Sequence, residues 1–119
     1  MPRPATRHLS EDALALIAAR FKILGELNRL KLLSALEGGP KNVSQLIEAT
    51  GLQQANVSRH LQTLTDGGLV ARQRRGATVV YSIADPSIFE LCRLVCGGIQ
   101  KRLQQQSNAF ALQSQLLML

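Results

Sequence analysis

Tryptophan is missing from this chain, tyrosine occurs once and phenylalanine three times in 119 residues. A hydrophobic fraction of 45% must therefore build its core mostly from leucine, isoleucine, valine and alanine, an ordinary load for one globular domain. Cysteine is nearly absent too: Cys92 and Cys96 are the only two, too few and too close for an extracellular disulfide framework. No stretch approaches the roughly 20 apolar residues of a membrane span. The opening MPRPATRHLSED has no apolar signal core. These absences point to a reduced, cytoplasmic setting with no membrane partner. Histidine is confined to His8 and His60, neither beside a cysteine in sequence. The thiols are spaced C-x-x-x-C rather than the redox C-x-x-C, and no glycine-rich phosphate loop occurs. Nothing here reads as an enzyme.

Acid is also in short supply. Eight Asp and Glu face fourteen Lys and Arg, a formal charge of +6. Such a balance favours a polyanionic partner, nucleic acid first.

Along the chain, residues 1–9 read as a flexible basic arm. Ser10 with Glu11 and Asp12 marks a helix start, acids lying where the helix dipole favours them. Leu14, Ile17, Ala18, Phe21 and Leu24 then follow at helical spacing. A second helix runs from about Asn28 through Leu36 and stops at Gly38-Gly39-Pro40. Asn42 and Gln45 have capping-box spacing for a short third helix ending at Gly51. A fourth spans roughly Gln53 to Asp66. LVARQR and TVVYSI then read as paired strands joined across Arg75-Gly76-Ala77. Asp85-Pro86 suits the start of a long last helix, carrying Ile88, Leu91, Cys92, Val95, Ile99 and Leu103. The expected domain covers residues 10–106. For the tail, 107–119, the sequence leaves open whether it extends that helix, packs on a partner or is disordered. The order α-α-α-α-β-β-α is that of a winged helix-turn-helix, mainly α with one small β-hairpin.

That fold gives the polar residues of the fourth helix a use. Val57, Leu61 and Leu64 fall together and face the core, which leaves Asn56, Arg59, Gln62 and Thr63 outward. Ser58 and His60 are expected on the flanks, Gln53 and Gln54 in the first turn. Gln and Asn can pair two-pronged with adenine, and Arg with guanine. Ser58, His60 and the first-turn N–H groups suit phosphates. Arg72, Arg74 and Arg75 cluster near the hairpin tip and are placed to hold the neighbouring backbone, with salt-dependent affinity.

The run from Arg29 to Ile83 closely resembles the arsenic-repressor (ArsR/SmtB) family of bacterial winged-helix regulators. The match rests on Val57-Ser58-Arg59-His60-Leu61, Leu64, Gly67-Gly68-Leu69-Val70 and Tyr81-Ser82-Ile83, and the likeness covers roughly residues 11–105. It implies a homodimer built on the first and last helices, an inverted-repeat operator in double-stranded DNA, and repression relieved by a chemical signal. The dimer helices would present Leu14, Ile17, Phe21, Ile88, Leu91, Val95 and Ile99, a stripe more apolar than a 13.0 kDa monomer needs. One departure is Gln53, where the family often has serine.

The family's known metal sites are absent. Its third-helix Glu-Leu-Cys-x-Cys-Asp motif aligns with Gln45-Leu46-Ile47-Glu48-Ala49-Thr50, without thiols. Its last-helix zinc site matches only at Asp85, with Ser87, Gly98 and Lys101 in the other places. Ser34 stands where persulfide-sensing relatives have their first cysteine. What remains is ELCRLVCGGI, in which Cys92 and Cys96 share one helical face. Three readings stay open: small buried hydrophobes, a site for arsenite, As(III), or another thiophilic metal ion, and thiol redox or persulfide chemistry. Gly97-Gly98 beside them implies either close backbone approach or a bend.

Overall fold

The structure, a computed structural model, describes residues 8–117, with side chains through 112. The 1–9 arm thus lies almost wholly outside the described residues. Five helices and one hairpin follow in the expected order: α1 (Glu11–Leu24), α2 (Leu27–Glu37), α3 (Val43–Thr50), α4 (Gln54–Asp66), β1 (Val70–Arg75), β2 (Thr78–Ile83) and α5 (Ser87–Leu117). Compact packing divides the chain into Met1–Asp85 and Pro86–Leu119. α5 runs on past 106 to Leu117, so among the described residues the tail extends the last helix, one of the three courses the sequence left open.

Local chemistry sets the helix ends. Ser10 Oγ accepts from Ala13 N–H at 3.1 Å and opens α1. Asn42 and Gln45 close a reciprocal capping box at 2.8 Å in each direction, so two otherwise orphaned donors are satisfied at the start of α3. α2 begins one residue earlier than its apolar pattern suggests. Its cap is Glu26, whose carboxylate accepts from Arg29 N–H at 2.8 Å. α4 differs from these, since Gln53 makes no side-chain cap. Its far end turns on Gly68 at φ 75°, a left-handed conformation that glycine adopts without penalty. Just before it, a Cβ on Gly67 would stand 2.7 Å from Ile23 Cδ1, so a side chain there would make the end of Ile23 shift.

β1 and β2 pair antiparallel from Val70↔Ile83 to Arg75↔Thr78. The outer edge of β2 takes one further residue, Lys41, through N–H···O bonds of 3.0 and 2.8 Å with Tyr81. The core of the first unit is free of aromatics. Leu32, Leu33, Leu36, Leu46, Val57, Leu61, Leu64, Leu69 and Val70 are all buried. They come from α2, α3, α4, the turn after it that holds Leu69, and β1, and these elements pack on one another.

α5, taken by itself, is 31 residues long, or about 46 Å at 1.5 Å per residue. It is continuous through Gly97-Gly98. Apart from the chain neighbours and the nearby backbone of α5 itself, no atom of the described residues lies within 4 Å of where a Cβ would stand on either glycine. No helix among the described residues is long and apolar enough to cross a membrane.

Candidate nucleic-acid interface

α4 divides sharply into two faces. Val57, His60, Leu61 and Leu64 are buried, the i, i+3, i+4, i+7 set of one stripe. Gln54, Ser58, Arg59 and Gln62 are exposed, Asn56 and Thr63 half-buried. Arg59 Nη2 donates to Asn56 Oδ1 at 3.1 Å, and Thr63 Oγ1 donates to the Arg59 carbonyl at 3.3 Å. The guanidinium is thus steadied beside an amide, and the two polar side chains share one patch. Gln62 is tied to Asp66 at 2.8 Å. At the start of the helix Gln53 and Gln54 are exposed, and no side chain caps the first turn, whose backbone N–H groups suit an anion.

His60 is a correction. The sequence placed it on a flank, free to hold a phosphate. It is only 6% exposed, because three residues past Val57 the helix has turned back toward the core. Its Nε2 stands 3.8 Å from Glu26 Oε2.

The hairpin packs on α4 within the same unit. Arg72, Arg74 and Arg75 are all exposed. Arg72 and Arg74 point to one face of β1 and Arg75 to the other. Arg74 Nε donates to the Gly76 carbonyl at 3.3 Å, and Arg75 Nη2 to Gln73 Oε1 at 3.4 Å. The ion pairs of the described residues at Arg20–Asp85 and His60–Glu26 leave these arginines aside. Their charge is therefore offered outward. A polar helix and a cationic loop side by side suit a groove and its flanking backbone.

The stripes assigned to a second subunit fare unevenly. Leu14 and Phe21 are each 51% exposed, and Ile17, Val95 and Ile99 are exposed as well. Leu91 is half-buried. Ile88 is a second correction: at 3% exposure it is already covered in the single chain. Leu16, Leu103 and Phe110 are exposed apolar residues the sequence reading did not assign to an interface; Leu103 and Phe110 continue the 3.6-residue period of Ile99.

Both cysteines are free, Cys92 half-buried and Cys96 exposed. The described residues hold no group of three or more His, Cys, Asp and Glu side chains that could take a metal ion. One chain thus offers two soft donors on one face of α5.

Two residues that sequence reasoning missed, Glu26 and Arg29, border His60. The Glu26 carboxyl is held below its ordinary value of 4.5, chiefly by the Arg29 N–H bond; burial opposes this and the His60 imidazole adds to it. A depressed folded-state value stabilises the fold above the unfolded one, and that contribution is lost as pH falls through the folded value. Glu26→Gln is therefore expected to flatten the acid limb of stability below about pH 4.5. Urea midpoints of both proteins across that range would check it; parallel acid limbs would contradict it.

The profile of bacterial regulatory proteins of the arsR family matches residues 27–72, from the start of α2 into β1. The HTH-type transcriptional regulator NmtR of Mycobacterium tuberculosis is 37% identical over 83 residues, 70% of this chain and 69% of its own. The crystal structure of AntR, an antimony-specific transcriptional repressor, matches with a TM-score of 0.71 at 30% identity, covering 87% of this chain and 96% of that one. The NMR structure of a homodimeric winged helix-turn-helix DNA-binding domain, from a possible ArsR-family regulator of Mycobacterium bovis, matches at 0.69 and 31% identity over 82% and 93%. With its recognition helix and wing built on the same frame, this chain belongs to the arsR family of bacterial transcriptional regulators, winged helix-turn-helix proteins that bind DNA.

Proposed function

We propose that the chain is a homodimeric repressor that sits on an inverted-repeat operator and leaves it when Cys92 and Cys96 bind a thiophilic metal or metalloid ion. The observation that carries the DNA half is the exposed polar face of α4 beside a wing whose arginines have no acid partner among the described ion pairs. In this reading Gln54, Asn56 and Arg59 contact bases. Gln53, Ser58, Thr63 and the wing arginines hold the backbone. Arg59→Ala is expected to relax specificity at one base pair by roughly 1–3 kcal/mol. Arg74→Ala should instead weaken all sequences alike and lower the salt slope by about 1. Mobility shifts at several salt concentrations separate the two, and unchanged slopes for wing variants would refute the assignment.

Exposed apolar faces on α1 and α5 support a dimer, as does the homodimeric Mycobacterium bovis domain. A two-fold pair would place two α4 helices about one DNA turn apart.

The sensing half rests on the thiols. Arsenite or a similar ion would exchange hydroxide for thiolate at each new As–S bond, releasing water, and sulfur is its preferred donor. AntR, the antimony-specific repressor of similar fold, supports that chemistry class. The exposure of Cys96 favours sensing, whether by metal binding or by oxidation. The half-burial of Cys92 favours a constitutive binder with structural cysteines. Titrating operator-bound protein with arsenite, zinc, cadmium, persulfide and peroxide decides between them. Release is expected for the wild type and lost in Cys92→Ser and Cys96→Ser. Retention of DNA under every ligand would leave the constitutive binder.

A further inference from the structure

The buried stripe of α4 has four members, and three of them are hydrocarbon. The fourth is an imidazole whose Nδ1 is buried with no hydrogen-bond partner and whose Nε2 faces Glu26 Oε2 at 3.8 Å. Packing alone would be served better by leucine, since a buried polar group without partners is unfavourable. The same Glu26 oxygen accepts from Arg29 N–H at 2.8 Å. The Arg29 guanidinium in turn donates from Nε to the Ile23 carbonyl at 2.7 Å and from Nη2 to the Lys22 carbonyl at 3.4 Å. A continuous polar tie thus runs from the recognition helix through the first turn of α2 to the last turn of α1.

We propose that His60 is a positioning residue for DNA reading: its buried imidazole, set against the Glu26 carboxylate, anchors α4 to the start of α2, and its charge tunes the affinity for DNA. This rests on the DNA-binding reading above and deepens it. His60 lines an open cavity of about 340 Å³ with Glu26, Asn28, Arg29, Arg59 and Thr63. The charged groups around it are therefore Glu26 and Arg29 from the start of α2 and Arg59 from α4 itself. No residue of α3 or β1, which pack on the same helix, lines that cavity. Arg29 is engaged on α1 carbonyls and Arg59 on Asn56, which leaves Glu26 as the partner for an imidazolium. A carboxylate held ionised by a backbone donor stays an anion over the whole range in which imidazole titrates. Protonation therefore turns the 3.8 Å contact into an ion pair, shortens the tether and holds α4 in one orientation. Loss of the proton relaxes it.

The test measures operator affinity at constant salt from about pH 8 to about pH 5.5, the span of an ordinary imidazole. Wild type is expected to bind about tenfold more tightly at the acid end, a coupling of usual size. His60→Gln and Glu26→Gln should both lose that response, while His8→Gln, which removes the other histidine, should keep it. By reciprocity, DNA should favour the charged imidazole, a change visible in imidazole NMR of wild type free and bound. That measurement decides the matter should either variant fold poorly. A full pH response in Glu26→Gln, or an imidazole that titrates alike with and without DNA, would overturn the proposal. If the wild type ignores DNA at every pH, the DNA-binding reading itself has failed.

Discussion

Ile99→Glu is expected to yield a folded monomer that binds operator DNA about 10²- to 10⁴-fold more weakly than wild type, the range by which a second linked contact raises affinity. Ile99 is 54% exposed in the middle of α5. Successive helical residues are about 100° apart, so Cys92, Val95, Cys96, Ile99, Leu103 and Phe110 share one arc. All but the half-buried Cys92 are open to solvent. A two-fold axis brings equivalent positions together, and a carboxylate there meets its own copy with both charges desolvated. Light scattering should show the mass fall from twice 13.0 kDa to 13.0 kDa. Gln105→Glu adds the same charge about 120° round the wheel from Ile99, outside that arc, and is expected to change neither mass nor affinity. Wild type that is already monomeric, or a monomeric variant with full affinity, would refute the dimer.

Leu61→Ala carries the second large effect. Leu61 is fully buried on α4 between Val57 and Leu64, and truncating such a leucine costs about 2–5 kcal/mol. A domain of this size has only about 5–15 kcal/mol in hand. The urea midpoint should drop sharply with little change in slope, at one fixed protein concentration so that dimerisation does not confuse the comparison. Ser58→Ala, three residues away and exposed, should move stability by less than about 0.5 kcal/mol while weakening DNA binding. If the two substitutions cost the same, α4 does not present its faces as described.

The helices that carry their own punctuation were legible from the sequence. Ser10, the Asn42–Gln45 box, Gly51 and Gly67-Gly68 each satisfy or release particular backbone groups, and the helix ends fall at or beside them. So were the hairpin and the outward residues of α4. His60 was misplaced because polarity was allowed to outrank period. At 57, 60, 61 and 64 the spacing alone puts it inside. Glu26 escaped notice because glutamate seldom caps a helix, and only the fold shows its carboxylate reaching the Arg29 N–H. The sequence carried α5 through Gly97-Gly98 to Leu103 but left its far end open. Glutamine, leucine and alanine are good helix formers, and two glycines within 31 residues do not interrupt the run.

The hairpin has one strand flank still open. Lys41 occupies the free side of β2, but along β1 no further strand is bonded among the described residues. Bare flanks of this kind invite stacking of one molecule on the next. Here the exposed strand carries Arg72, Arg74 and Arg75, so approaching copies repel one another in dilute salt. Phosphates that neutralise those guanidiniums also remove this safeguard, and crowding many copies on a long polyanion should promote clumping that the free protein resists.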